Sequence, residues 1–424
     1  MIAVPFIYFS LLLIFILRKK KRFELSACIT SAYVITSFFA IIIDINKLYG
    51  AAGAVQASIT LTPTLLYCLL ITITIIPFIK LPPLNRKNVI PIRNLKLYDS
   101  IFYFYLGVFV LLLFFFGKEI VYRVQNPDIA ALRVLIVDGG DDLGFSNYSG
   151  FMRILARLVF LFGSSAMFFH VLYFYSLAFL KKSLKFNLGL LLFSSMPIMI
   201  GMLSLDRSTL IYWLMSFIAV AVFFWPLLNR SRKKQINYSF IVFFGVLILY
   251  LSLITTARYG EQEIGASNSL IVYAGQSFNN FCLFYDKLHL PGFSLEYVTP
   301  LLNSIVGSSE SLSRAEMYSR SVETKVFASF VGMFIREIGI IGSIIYCSIF
   351  FILTTWIFKS IRKYNITKIF LVIILLYIPY LGVFGLFYAS IDREIAVYIL
   401  LIITYFLKKR IQSDKLISKN YKRL

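Results

Sequence analysis

The sequence predicts an all-α, polytopic membrane protein with about eleven transmembrane helices, in the range 10–12. Three observations predict it. Hydrophobic residues make up 59% of the 424, and charged residues only 15%. A soluble domain carries about 45–50% apolar and about 25% charged residues. Apolar runs of about seventeen residues or more recur along the chain, each long enough for a hydrocarbon core of about 30 Å. The connectors between the runs alternate between strongly basic and non-basic, as the positive-inside bias requires. The alternating ten-residue segments of a membrane β-barrel are absent.

The first run, "MIAVPFIYFSLLLIFIL" (1–17), lacks a basic n-region and a small-residue cleavage site. It therefore reads as a permanent helix and not as a signal peptide. Further spans follow at 25–43, 58–79, 97–116, 151–180, 187–203, 208–228 and 238–256. The last three lie at 326–358, 367–389 and 391–407, and in 326–407 one long span is also readable as two. "RKKKRFE" (18–24), "KLPPLNRKNVIPIRNLK" (80–96), "KKSLK" (181–185), "NRSRKKQIN" (229–237), "KSIRKYNITK" (359–368) and the tail from Lys408 are basic. The intervening connectors are neutral, mixed or acidic. This alternation predicts an external N-terminus and a cytoplasmic C-terminus. Residues 1–424 form a single integral membrane domain in this reading. The net charge of +22 sits in the short connectors, so it serves topology, and no nucleic-acid partner is expected.

Two external segments exceed what a link needs. In 117–150, Asn126-Pro127-Asp128 caps a short amphipathic helix and a Gly/Asp-rich turn follows. The segment 257–325 contains "SNSLIVYAGQSFNNFCLFYDKL", read as an amphipathic polar-aromatic helix lying at the interface. The four cysteines, at 28, 68, 282 and 347, form no CxxC pair and suggest neither disulfides nor zinc. "DGGDD" (138–142) has no EF-hand pattern around it and reads as a solvated turn. No P-loop, dinucleotide fingerprint or HExxH is present, and no cofactor or metal is expected.

Ionisable residues at or inside spans are functional candidates by default. Arg153 and Arg157 open the fifth span one turn apart. Asp206 and Arg207 close the sixth, and Arg258 closes the eighth. Arg336 and Glu337 lie early in the ninth, and Asp392, Arg393 and Glu394 start the eleventh. All fall at the expected external ends, whereas His170 is deeper and isolated. Arginine grips phosphates through a planar fork. A ring of Arg153, Arg157, Arg207, Arg258 and Arg336 therefore suggests a lipid pyrophosphate or another anionic lipid-linked group. The plainer alternative is a set of interfacial anchors and interhelical salt bridges.

Several stretches resemble the Wzy-type oligosaccharide repeat-unit, or O-antigen, polymerases. They are "SLDRSTLIYWLMSFIA" (204–219), "TTARYGEQE" (255–263), "IVYAGQSFNNF" (271–281) and "FASFVGMFIREIGIIGSIIY" (327–346). The resemblance implies an all-helical, GT-C-like glycosyltransferase with no required metal, in the bacterial cytoplasmic membrane with its active site facing the periplasm. The implied substrates are undecaprenyl-pyrophosphate-linked oligosaccharides, and membrane lipids and a chain-length regulator are the expected partners. On this reading the five arginines stabilise the departing pyrophosphate. Glu337 and Glu261 lead as general base, with Arg258 beside them, and Glu323, Asp206 and His289 come next. Tyr259, Gln276, Asn279 and Asn280 bind sugar hydroxyls, and Tyr273, Phe278 and Phe281 offer stacking faces. The rival readings are a lipid-linked oligosaccharide flippase or transporter and an O-antigen ligase. A transporter would place polar groups near the midplane, within a repeat symmetry that the sequence lacks.

Overall fold

The computed structural model describes residues 1–49, 56–92, 94–126, 129–137, 143–180, 182–259, 265–287, 299–301, 304 and 328–408. The regular structure among these residues is helical, with a single isolated β-bridge and no strand. The helices are α1 (Val4–Lys20), α2 (Leu25–Ile45), α3 (Leu61–Ile79), α4 (Leu95–Gln125) and α5 (Ile129–Val137). Then come α6 (Gly150–Ser165), α7 (Phe169–Phe179), α8 (Leu184–Ser194), α9 (Met196–Leu203) and α10 (Ser208–Phe224). The last are α11 (Arg230–Tyr259), α12 (Gly265–Lys287), α13 (Phe330–Lys359), α14 (Ile366–Leu381) and α15 (Ile391–Lys408).

Seven helical stretches among the described residues are long and apolar enough to cross a membrane. They are Leu25–Ile45, Leu61–Ile79, Leu95–Gln125, Gly150–Phe179, Leu184–Leu203, Ser208–Leu227 and Phe330–Lys359. The chain is thus a polytopic membrane protein of the helical class. Helices also stand at the other segments read as spans (α1, α11, α14 and α15). The outer surface supports the assignment. Ile341, Ile345, Ile349, Ile352 and Trp356 form an exposed apolar stripe on α13, and Ile7, Leu11 and Ile14 form another on α1. Apolar stripes of that length are shunned by water and suited to lipid.

Several helix boundaries follow from single residues. Asn94, Ser183, Ser329 and Asn365 each accept a hydrogen bond from a backbone N–H in the first turn of α4, α8, α13 and α14. Pro197, in the first turn of α9, ends the register of α8 and starts a new helix. The span expected at 97–116 runs on to Gln125 as α4. "KEIVYRVQ" contains no Gly or Pro to break the helix, and Arg123 pairs with Glu119 one turn back at 2.7 Å.

The basic connectors come together at one end of the bundle, the basic face. Tyr364 is the clamp. Its N–H donates to Asn88 O at 2.6 Å and its carbonyl accepts from Ile90 N–H at 2.7 Å. Its hydroxyl donates to Pro82 O at 2.6 Å. Arg86 reaches Leu227 O at 3.3 Å, and the Ile92 N–H donates to the Tyr175 hydroxyl at 2.8 Å. Lys182 pairs with Asp99 at 2.5 Å. Connectors far apart in sequence therefore share one plane.

Two features were not visible in the hydrophobic pattern. The stretch read as an interfacial helix is α12, and it is packed inside the bundle. Val272 sits on Ile43, and Gly275 lies against the backbone of Phe39 and Ala40, so α12 runs antiparallel to α2 there. Phe278 packs tilted and Phe281 edge-on against Tyr67 of α3, with ring centroids 5.1 and 5.0 Å apart. Second, α13 folds back on itself at Gly339, which has φ 70 and ψ −177. Phe334 and Tyr346 rings lie 4.1 Å apart, where twelve residues of straight helix would separate them by about 18 Å. Only glycine adopts that backbone without strain.

A Cβ on Gly275 would meet Phe39 C at 2.4 Å and Ala40 N at 2.6 Å, both backbone atoms that cannot turn aside. Gly339→Ala and Gly275→Ala are each expected to cost roughly 1–3 kcal/mol. Gly245→Ala, with nothing within 4 Å, is expected to hold or raise stability. Thermal unfolding in detergent reads all three. Equal midpoints across the set would remove both packing arguments.

Candidate functional site

The site grows from the turn between α9 and α10. Leu205 is buried and holds a left-handed backbone, φ 49, unusual for a branched side chain. That conformation lets Asp206 N–H donate to Gly201 O at 2.8 Å and Leu205 N–H to Met202 O at 3.2 Å, a Schellman closure of α9. Asp206 then caps α10. Its carboxylate accepts from Ser208 N–H at 2.9 Å, from the Ser208 hydroxyl at 2.6 Å and from the Thr209 hydroxyl at 3.1 Å. A carboxylate at a helix N-terminus is favoured by the dipole as well.

Arginines from three parts of the chain lie at this turn and along the first turns of α10. Arg123 of α4 is 1% exposed; it donates to Leu203 O at 2.6 Å and pairs with Glu119. Arg207, 6% exposed, donates to the Thr255 hydroxyl of α11 at 2.9 Å. Its guanidinium lies over the Tyr273 ring of α12, 4.3 Å from the centroid. Arg393 of α15 lies over the rings of Tyr212 and Phe387, at 5.5 and 5.1 Å, and donates to Phe387 O at 3.2 Å. Stacking uses the flat face of a guanidinium, while its donors lie in the edge, the geometry that grips a phosphate. Arg258 lies three residues beyond Thr255, at the end of α11. Its side chain and that of Tyr259 lie outside the described residues, as do Glu261, Glu263, His289 and Glu323.

Glu337 is buried, 2% exposed, just before the fold at Gly339. Arg336 holds its Oε1 through two donors, at 3.0 and 3.3 Å. The Glu337 Oε2 is buried and has no hydrogen-bond partner among the described residues. No described contact ties this pair to the α9–α10 turn.

The remaining expected residues divide. Arg153 donates to Tyr148 O at 2.7 Å, and Arg157 is exposed over Phe145 at 5.9 Å. Both are engaged with residues 145–148, apart from Arg207. Glu394 accepts from Leu301 N–H at 2.6 Å and so anchors that segment to α15. On α12, Gln276, Asn279 and Asn280 are buried. Asn279 accepts from Ala57 N–H at 3.1 Å, and Asn280 donates to Gln276 Oε1 at 3.5 Å. The Gln276 Nε2 has no partner among the described residues. His170 bonds the Ser216 hydroxyl at 2.9 Å within an aromatic shell. Arg123, Thr255 and Tyr212 escaped the sequence reading. Only the Glu119–Arg123 spacing signalled Arg123, and it lay in a stretch read as loop.

Arg123→Ala strands the Leu203 carbonyl and a partly buried Glu119, so a loss of about 3 kcal/mol is expected. Arg123→Lys keeps one bond of the fork and is expected to lose less. Unfolding in detergent measures both, and an Ala variant as stable as the parent would show that the turn holds without its arginine. No family model, curated protein or solved structure matches this chain.

Proposed function

We propose that this protein is a membrane glycosyltransferase that polymerises undecaprenyl-pyrophosphate-linked oligosaccharide repeat units on the face opposite its basic connectors. That face is the periplasmic side of a bacterial cytoplasmic membrane in this reading. The observation that carries it is the placing of Arg123 and Arg207 at the α9–α10 turn and of Arg393 over Tyr212 in the second turn of α10, with Arg258 one turn past Thr255. Buried arginine is costly unless something anionic or aromatic compensates it. Arg123 secures the turn, and Arg207, Arg258 and Arg393 supply the phosphate-binding edges.

In the reaction, the acceptor sugar hydroxyl attacks the anomeric carbon of the lipid-linked chain. The C1–O bond to pyrophosphate breaks, and the leaving group departs with the electron pair. Preorganised guanidinium donors match that growing charge better than water does. The hydroxyl proton passes to a carboxylate. Glu337 suits the task because one oxygen is held by Arg336 and the other has no partner among the described residues. Glu261 is the second choice by its place beside Arg258. Tyr273, Tyr259 and Gln276 are proposed to contact the glycan, with Asn279 and Asn280 shaping the wall behind them.

The test is reconstitution of purified protein with synthetic lipid-pyrophosphate repeat units and no nucleotide sugar. Lengthened glycans are expected. Translocation without bond formation would make the protein a flippase, and transfer to lipid A core alone would make it a ligase. Arg207→Lys, Arg258→Lys and Arg258→Ala are each expected to slow polymerisation on the order of 10²–10³-fold. Glu337→Gln is expected to slow it about 10²–10⁴-fold with substrate binding retained. Full rates in the Glu337 variant would move the base to another carboxylate.

A further inference from the structure

A cavity of about 280 Å³ opens near the basic face between α10 and α11. Phe217, Ala221 and Trp225 of α10 form one wall, Ile236 and Phe240 of α11 form the other, and Phe23 of the 18–24 connector closes a side. Phe217 and Trp225 are two turns apart, so the slot runs about 12 Å along the helix axis. Its aromatic lining is ordered. Phe217 stacks on Phe240 and Phe240 on Phe244, with interplanar angles of 19° and 13°. Phe217 is backed by Trp213 at 16°. Asn237 is the one polar side chain in the lining.

The rim is cationic. Lys233 Nζ stands 5.0 Å over the Trp225 ring. Arg230, Arg232 and Lys234 begin α11 beside it, and Lys19, Lys20, Lys21 and Arg22 precede Phe23. Arg232 bonds Gln235 at 2.9 Å. The acid nearest in sequence, Glu24, pairs with Lys20 at 3.2 Å. A narrow apolar slot under such a rim fits a molecule with a hydrocarbon chain and an anionic head. A transmembrane helix, about 10 Å across, is too wide for it.

We infer that this cavity binds one anionic phospholipid from the leaflet on the basic face. Its acyl chain lies along Ala221 and Trp225 of α10 and Ile236 of α11, against the edge of the stacked Phe217 and Phe240 rings, and its phosphate sits at Lys233 between the two basic connectors. Clusters of lysine and arginine at the end of a span recognise anionic lipid in this way. The apolar slot makes the contact a site rather than a diffuse attraction. The site is remote from the α9–α10 turn and does not depend on the proposed polymerase activity.

The test is native mass spectrometry of the detergent-purified full chain, titrated with phosphatidylglycerol or phosphatidylcholine of the same acyl chains. One phosphatidylglycerol is expected to bind with a preference on the order of tenfold. Ala221→Trp fills the slot and is expected to abolish that bound lipid. The double variant Arg232→Gln with Lys233→Gln is expected to retain a lipid and lose most of the preference. A phosphatidylglycerol bearing a photoreactive acyl chain, added to the unaltered protein, should label 217–225 and 236–240. That readout stands even if a variant fails to fold. Labelling spread evenly over the exposed stripes of α1 and α13, or a folded Ala221→Trp protein that keeps its lipid, would overturn the site. A dimer that forms as lipid is stripped away would overturn it too, by assigning the cavity to a second copy of the chain.

Discussion

The arrangement at the non-basic end depends on the backbone of one residue. Leu205 in the left-handed region costs roughly 1–2 kcal/mol relative to ordinary helix or strand geometry. Its full burial returns about as much, roughly 1.5–3 kcal/mol for a leucine side chain. The turn it makes aims the Leu203 carbonyl at Arg123 and sets Asp206 where it caps α10. It also carries Arg207 inward onto Thr255 and Tyr273. A wider loop would satisfy the same helix ends and leave those guanidinium groups in water.

The two ends of the bundle handle positive charge differently. On the basic face the cations are largely solvated, and order comes from backbone contacts gathered at Tyr364. At the opposite end Arg123 and Arg207 are buried and Arg393 is partly buried, and each has compensation. Arg123 has a carboxylate and a carbonyl, Arg207 a hydroxyl and a ring, and Arg393 two rings and a carbonyl. Aromatic faces suit this role because they attract a cation without holding it in a neutral ion pair.

Two helices place polar chemistry inside a largely apolar molecule. α12 buries Gln276, Ser277, Asn279 and Asn280 between α2, α3 and α13. Its close approach to α2 relies on Gly275, so its polar residues are part of the packing and not a coat on the surface. α13 turns back at Gly339 and leaves Glu337 at the bend. In each case a glycine decides the geometry, and buried polar groups follow from it. Buried polar groups left partly unpaired, such as the Glu337 Oε2 and the Gln276 Nε2, mark where a stable core would have economised.

Hydrophobic runs and alternating connector charge were enough to give the helical membrane class and the positions of its main helices. Those signals are local: twenty apolar residues need lipid or protein around them wherever they go. The arginines at the ends of helices were legible for the same reason, since a charge beside an apolar run stands out. Tertiary structure alone decided which of them meet. Arg207 and Arg393 are 186 positions apart in the chain yet share the start of α10, whereas Arg153 and Arg157 turn to residues 145–148. It also decided that α12 is core, because its polar letters mimic a surface helix until their partners on α2 and α3 are known. Hydropathy counts what a residue is. Only packing shows which neighbour compensates it.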